Sequence, residues 1–507
     1  MRCAPSQHLA HPARSRLRGF VVPANHIESL CQSAKSADRS VRLSGKANIF
    51  ATVLFLCSAA FAPAQTVTTL YDFAGGKTSG ETPWYVTLVQ GTNGSLYGTT
   101  YNGGASGVGT VFSVTTSGTQ TLLYSFKGGT TDGANPTAGL TLGSDGNFYG
   151  TTQQGGTGSE GVVFKMTTAG VITILHNFNG TTDGAFPWGP PILASDGNFY
   201  GTASGGGSKG NGLVYKITST GTYTTIYEFD VTHGFAPIAP PTQGTDGYLY
   251  IPVSQGGTSY CGTIVQLTTA GVVNNSYDFP CGSGGAYPIG QLVQASNGNF
   301  YSTTQDGGTN AEGTIYQVTT GLAVTILHSF GATFGDGTFP GAGLLLATDG
   351  NYYGSTSDGG TSGDGILFNT STSGTYTDLY SFNNTANLTQ MSPLAPPVQD
   401  TNGTLYGVTE FGGTSNDGTV YSLNMGLPSF VNMPLFSGKT SDSVMILGTN
   451  LKDASEVTFN GRPAAFKVMS DTHMTATVPA DATSGPIHVV TPRADLESRK
   501  TFMVSEQ

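Results

Sequence analysis

The side chains best suited to chemistry recur in one kind of segment. Gly/Thr-rich loops ending in proline occur at residues 128–136 (GGTTDGANP), 179–187 (NGTTDGAFP), 233–237 (HGFAP), 282–288 (GSGGAYP) and 334–340 (FGDGTFP). Three of them carry a carboxylate: Asp132, Asp183 and Asp336. Calcium needs several oxygen ligands. One carboxylate per loop, missing from other loops, reads instead as a turn aspartate bonding its own backbone. Aromatic residues flank the prolines of these loops and of the related segment at Pro83: Trp84, Phe186, Trp188, Phe235, Tyr287 and Phe339. Rings so placed can stack on sugar faces or seal one segment against the next. They and the three aspartates are the candidate ligand-binding residues.

Other chemistries find little. Glu81, Glu160, Glu312 and Glu410 are scattered, and their spacing does not define the carboxylate pair of a glycoside hydrolase. Of eight histidines three precede residue 65, leaving five, none at ligand spacing, so no zinc site is expected. No nucleophile elbow, P-loop or dinucleotide fingerprint occurs. No catalytic residue, metal or cofactor is assigned.

A repeat positions the loops. An Asp/Asn-Gly pair, two residues and a tyrosine recur at Tyr97, Tyr149, Tyr200, Tyr250, Tyr301, Tyr353 and Tyr406, 50 to 53 residues apart. Constant spacing over this length means a repeat architecture. Each unit reads as four short strands, in the second unit residues 138–142, 147–152, 161–166 and 171–178. Asp145-Gly146 is the first turn and Thr168-Ala169-Gly170 the last. The turn aspartates Asp145, Asp196, Asp246 and Asp349 read as structural. His176 and His328 stand where other units have Tyr124, Tyr227 and Tyr380, as packing variants. The array opens with a lone fourth-type strand (67–73) and stops after a third-type strand (418–423). The expectation is an all-β, seven-bladed β-propeller closed by its N-terminal strand. A solenoid would need polar caps instead. Short turns then share one face. The longer proline loops and second-to-third-strand loops share the other, the candidate surface.

Composition agrees. Gly supplies 74 of 507 residues and only 10% are charged, as in a turn-rich β protein. Residues 1–40 read as a disordered or mis-assigned extension, and 41–64 as a secretory signal peptide. The latter has Arg42 and Lys46, an apolar stretch at 47–61 and Ala62-Pro63-Ala64. That stretch is short for a bilayer span, so a secreted or cell-surface protein without a transmembrane helix is expected. Without residues 1–64, 20 − 8 = 12 basic and 31 − 2 = 29 acidic residues remain, a net charge of −17. Residues 66–423 contain no arginine, which excludes phosphate-dependent nucleic-acid binding. Cys261 and Cys281 face each other across one hairpin and read as a disulfide in an exported chain.

After a linker at 424–428 the repeat ends. Residues 429–507 show short alternating runs and an Asn460-Gly461 hairpin turn, read as a small β-sandwich. The units resemble the GloVer tandem repeat of exported bacterial proteins, in DGNFYGTT, the spaced glycines and TILHNF or LLYSF. A looser similarity to kelch propellers lies in diglycines such as Gly155-Gly156 and Gly307-Gly308. The tail resembles an IPT/TIG immunoglobulin-like domain, in VMILGTNL, VTFNGRPAAF and ATVPADATSGPIHVVTP. The repeat resemblance implies a class and no reaction. The expected role is an exported, non-enzymatic scaffold binding extracellular polysaccharide or a surface protein. The alternative is a polysaccharide hydrolase or lyase using carboxylates at the channel mouth.

Overall fold

A computed structural model describes residues 67–383 and 391–505. The extension and signal peptide read at 1–64 lie outside them. No helix among the described residues is long and apolar enough to cross a membrane.

The chain is all-β. Seven four-stranded antiparallel sheets follow one another, then a smaller β domain. The second sheet is typical: Thr141–Leu142, Phe148–Thr152, Val162–Met166 and Ile172–Asn177. Its first strand is shorter than the alternation suggests, because the residues before it pair elsewhere. The Thr99 hydroxyl, from the preceding sheet, donates to the carbonyl of Ala138 at 2.6 Å. Thr151, Thr202, Thr303 and Ser355 make the same bond to the next sheet, which explains the hydroxyl residue in the Phe-Tyr-Gly-Thr-Thr motif. At the fourth unit Pro252 replaces it, and Ser302 caps Gly290 from within its own sheet.

The Asp-Gly-Asn-x-Tyr tag is equally local. Asp145 accepts the amide of Asn147 at 3.1 Å and the phenol of Tyr149 at 2.8 Å. The Tyr149 ring is buried and stacks on Phe199 of the next sheet, centroids 3.9 Å apart. The tag thus fixes a turn and a sheet-to-sheet contact together. A phenylalanine after each fourth strand (Phe73, Phe126, Phe178, Phe229, Phe279, Phe330, Phe382) is fully buried.

The N-terminal strand, Val67–Asp72, pairs with Thr419–Leu423, from Val67 opposite Leu423 to Asp72 opposite Thr419. It completes the last sheet, as the chain ends required.

Short ribbons between a proline loop and the following loop, two residues long in three units and a single bridge in three others, were not anticipated. Gly133–Ala134 pairs with Gln154–Gly155, and Gly80–Glu81 with Asn102–Gly103. They explain the diglycine. Gly155 has φ 82°, and a Cβ there would meet the carbonyl oxygen of Asp132. Only glycine combines that conformation with so close an approach.

A disulfide joins Cys261 to Cys281, Cα atoms 5.4 Å apart. Closing this loop contributes roughly 3 kcal/mol on a chain-entropy estimate. The tail holds a three-stranded sheet (Ser443–Leu447, Phe466–Val468, His473–Thr477) and a four-stranded one around Glu456–Phe459 and Ile487–Val490. Its Asn460-Gly461 turn has φ 46° and 77°, as a type I′ hairpin needs.

The tail rests on the array. The Thr472 hydroxyl donates to Thr92 O at 2.9 Å, and Ser437 to Ser195 O at 3.0 Å. Met445 and Leu447 pack with Val89 and Leu142. These partners lie in or beside the turns between first and second strands, so the tail covers the short-turn face. Nothing in its composition had indicated this.

Candidate functional site

One cavity of about 1440 Å³ is walled by residues from the first strands of all seven sheets: Val89, Thr141, Ile192, Thr242, Val293, Leu345 and Val398. Each of these strands runs from a proline loop to a short turn, so the cavity has two chemically distinct ends.

At the proline-loop end Trp84 and Trp188 meet, centroids 5.2 Å apart, although 104 residues separate them in sequence. Tyr85 and Tyr101 pack against Trp84 at 5.5 and 5.1 Å. Thr137, in the unit between, is small enough for the two indoles to meet over it, and its hydroxyl donates to Trp188 O at 2.6 Å. Trp84, Thr137, Trp188, Ile238 and Ile289 each follow a loop proline, and all line the cavity. The residues before the prolines do not. Phe186, Tyr287 and Phe339 adopt left-handed backbone, φ 54°, 55° and 55°, an unusual state for bulky residues. Their amides donate to Glu160 O, Cys261 O and Glu312 O, each at 2.9 Å, which holds the loop in place. Phe186 and Tyr287 are exposed, and Phe235 and Phe339 are partly so. The sequence reading grouped all six aromatics. The phase relative to proline is the signal that separates them.

The three loop aspartates are engaged by their own loops and by adjacent strands. Asp132 is buried and accepts Tyr124 OH at 2.8 Å and the amides of Lys127 and Gly133 at 2.9 and 2.8 Å. Asp183 accepts Asn179 N at 2.7 Å and stands 3.0 Å from His176 Nε2. Asp336 accepts Ala332 N and Tyr376 OH. Burial works against the Asp336 anion, but the imidazole of His328, 3.7 Å away, and the bond from the Ala332 amide keep its carboxyl below the usual carboxylate range. His176 and His328 stack on Tyr223 and Tyr376, both at 3.8 Å. Among the described residues no group of three or more His, Cys, Asp or Glu could hold a metal ion.

Glu410 behaves differently. Burial pushes its carboxyl up to about 7, and burial, then the Glu410 charge, raises the Tyr85 phenol to about 12. The folded state therefore holds the Glu410 proton longer than the unfolded chain does, and stability is lost as pH rises from about 4.5 through 7. We expect Glu410→Gln to leave the melting temperature unchanged at about pH 4.5. At about pH 8 it should stabilise the protein by about 2 kcal/mol, allowing for residual solvent exposure. Thermal melts of both proteins across this range check the prediction.

At the other end the tail supplies Phe430, Phe436, Arg499 and Lys500. Arg499 Nη1 donates to Leu346 O at 2.9 Å. No motif had marked these residues; only the rarity of basic residues in the chain could have drawn attention to them.

Sheet-walled cavity, aromatic rim and covering tail define an all-β repeat protein with an internal pocket. The Gloeobacter/Verrucomicrobia repeat matches residues 31–250 and 237–445, and the chain belongs to that family. An IPT/TIG domain matches residues 431–502. No curated protein matches the chain. Among solved structures it is similar to the extracellular domain of a hybrid two-component system from B. thetaiotaomicron. That pair shares 11% identity with a TM-score of 0.44, over 85% of this chain and 53% of the other, so this chain spans about half its length. It is also similar to a Bacteroides uniformis protein described as a 6-phosphogluconolactonase, at 13% identity and TM-score 0.40, over 60% and 86% of the two chains.

Proposed function

We propose that the seven sheets are the blades of a β-propeller closed by the N-terminal strand, exported, and acting as a non-enzymatic binding scaffold. Its ligand, an extracellular glycan, enters the central cavity past Trp84 and Trp188. The observation that carries this reading is the makeup of the wall. The array contributes aromatic, aliphatic, Thr and Gln side chains to the cavity and no charged one among the described residues. Concave sites of this kind bind by apolar contact with a few polar groups for orientation, and indole faces suit sugar rings. Hydrolysis would require two carboxylates flanking the bond, and the described array brings none to this wall. Among the described residues the carboxylates lining the cavity, Asp495 and Glu497, belong to the tail. The loop residues Asp132, Asp183, Phe186, Phe235, Tyr287, Asp336 and Phe339 then shape the rim, and Trp84 and Trp188 touch ligand.

The test exploits composition: Trp84 and Trp188 are the only tryptophans in the chain. Indole fluorescence therefore reports the mouth alone. A glycan panel should include ligands that shift this emission saturably without releasing reducing ends. Trp188→Ala should weaken them at least about tenfold, in line with a stacking loss of one to a few kcal/mol. Release of reducing ends would overturn the non-enzymatic reading. No response to any glycan would leave a protein partner as the ligand class.

A further inference from the structure

The covered end of the cavity holds two cations that no carboxylate pairs with among the described residues. Arg499 and Lys500 are consecutive, and both line the cavity. The Arg499 guanidinium lies 5.1 Å from the Phe430 ring centroid, and the Lys500 ammonium 5.0 Å from that of Phe436. Neither joins an ion pair among the described residues. The array wall around them is uncharged. Of the two tail carboxylates on the lining, Asp495 is engaged by His488 at 3.5 Å, leaving Glu497 as the other acid. Lys500 is solvent-accessible yet surrounded by protein, as a side chain facing an internal chamber must be. Burial, with Arg499 next to it, pushes its ammonium down to about 8. Two like charges in such surroundings repel, and an anion bound between them would relieve the repulsion and gain charge-assisted hydrogen bonds.

The distance suits a chain-like ligand. Each inner segment runs from the residue after the proline to its short turn. The carbonyl of Leu346 receives Arg499. From Gly341 to Leu346 the segment spans about 16 Å if extended. We propose that the cavity takes an acidic oligosaccharide, its sugar rings against Trp84 and Trp188 and a carboxylate or sulfate group on Arg499 and Lys500. This rests on the reading of the cavity as a glycan pocket and adds the charge of the ligand.

The experiment titrates the mature chain, by indole fluorescence and calorimetry, with oligogalacturonate, its fully methyl-esterified neutral form, and a sulfated oligosaccharide. The ester isolates the anion, since the sugar is otherwise the same. An acidic form is expected to bind at least about tenfold more tightly than the ester, and the sulfated arm tells sulfate from carboxylate. Lys500→Gln should remove that preference while leaving the thermal midpoint near wild type, because no hydrogen bond of the ammonium is seen among the described residues. Binding should also weaken as pH rises through about 8, where Lys500 loses its charge while Arg499, lowered by burial only to about 10, keeps its own; Asp495 and Glu497 are the other ionisable groups on this lining. Equal binding of acid and ester, or an acid preference that survives Lys500→Gln, would overturn the anion site and leave the glycan pocket standing. No binding of any of the three, with unchanged fluorescence, would overturn the anion site and count against the glycan pocket as well.

Discussion

Removing residues 67–73 should abolish cooperative folding of the array. The segment contributes one of four strands to the last sheet, in register from Val67–Leu423 to Asp72–Thr419, and Phe73 N donates to Gly418 O at 3.0 Å. Phe73 is fully buried among Val86, Leu88, Phe112 and Val420, so it joins the last sheet to the first. Losing one buried phenylalanine costs about 3–5 kcal/mol, comparable with the whole stability of many domains. Deletion also leaves Thr419–Leu423 as an unpaired edge, which invites association between chains. A chain beginning at Ala74 should elute as aggregate and lack the sharp melt of one beginning at Thr66. A synthetic peptide covering residues 66–76 should partly restore it. A monomer with an unchanged melt would show that the proposed propeller does not depend on closure by this strand.

The second large effect is expected at Gly139. Here the inner segments of two neighbouring sheets come closest, and a Cβ would collide with the carbonyl oxygen of Thr87. Gly343 meets Gln291 in the same way elsewhere around the cavity. Backbone cannot yield as a flexible side chain can, so Gly139→Val must push two sheets apart and strain the cavity wall. We expect a loss of more than about 4 kcal/mol, in the range reserved for core disruption, seen as a lower urea midpoint or as failure to fold. Gly321→Ala is the control, since its nearest neighbour is 3.8 Å away and its φ is ordinary. Equal midpoints for the two variants would mean that the inner segments are not packed as described.

Much of this was legible because the repeat writes its rules locally. Asp145, Asn147 and Tyr149 close their own turn, so the tag could be recognised from one unit. Cys261 and Cys281 flank one hairpin, and their pairing followed from its register. In the tail, Asn460-Gly461 marked a hairpin for the same reason, whereas the short strands at Arg462–Pro463 and Asp495–Glu497 carry no alternation long enough to read. The candidate site was less legible. Grouping aromatics by their nearness to proline mixed Trp188, which faces the cavity, with Phe186, which is held in left-handed backbone and faces out. The two stand two residues apart, a spacing that regular strand alternation would put on one side; the left-handed backbone at Phe186 breaks that alternation, and proximity in sequence does not encode it.

By itself the sequence determined a seven-unit β array, its completion by the first strand, the disulfide and a second β domain, since turn chemistry, alternation and unit count are properties of neighbours along the chain. Tertiary structure alone decided that Trp84 meets Trp188, that the tail seats on the short-turn face, and that Arg499 and Lys500 enter the same cavity. Those meetings join residues from distant units of the chain. They depend on how seven sheets converge and which surface is left for the tail, and no local pattern specifies that.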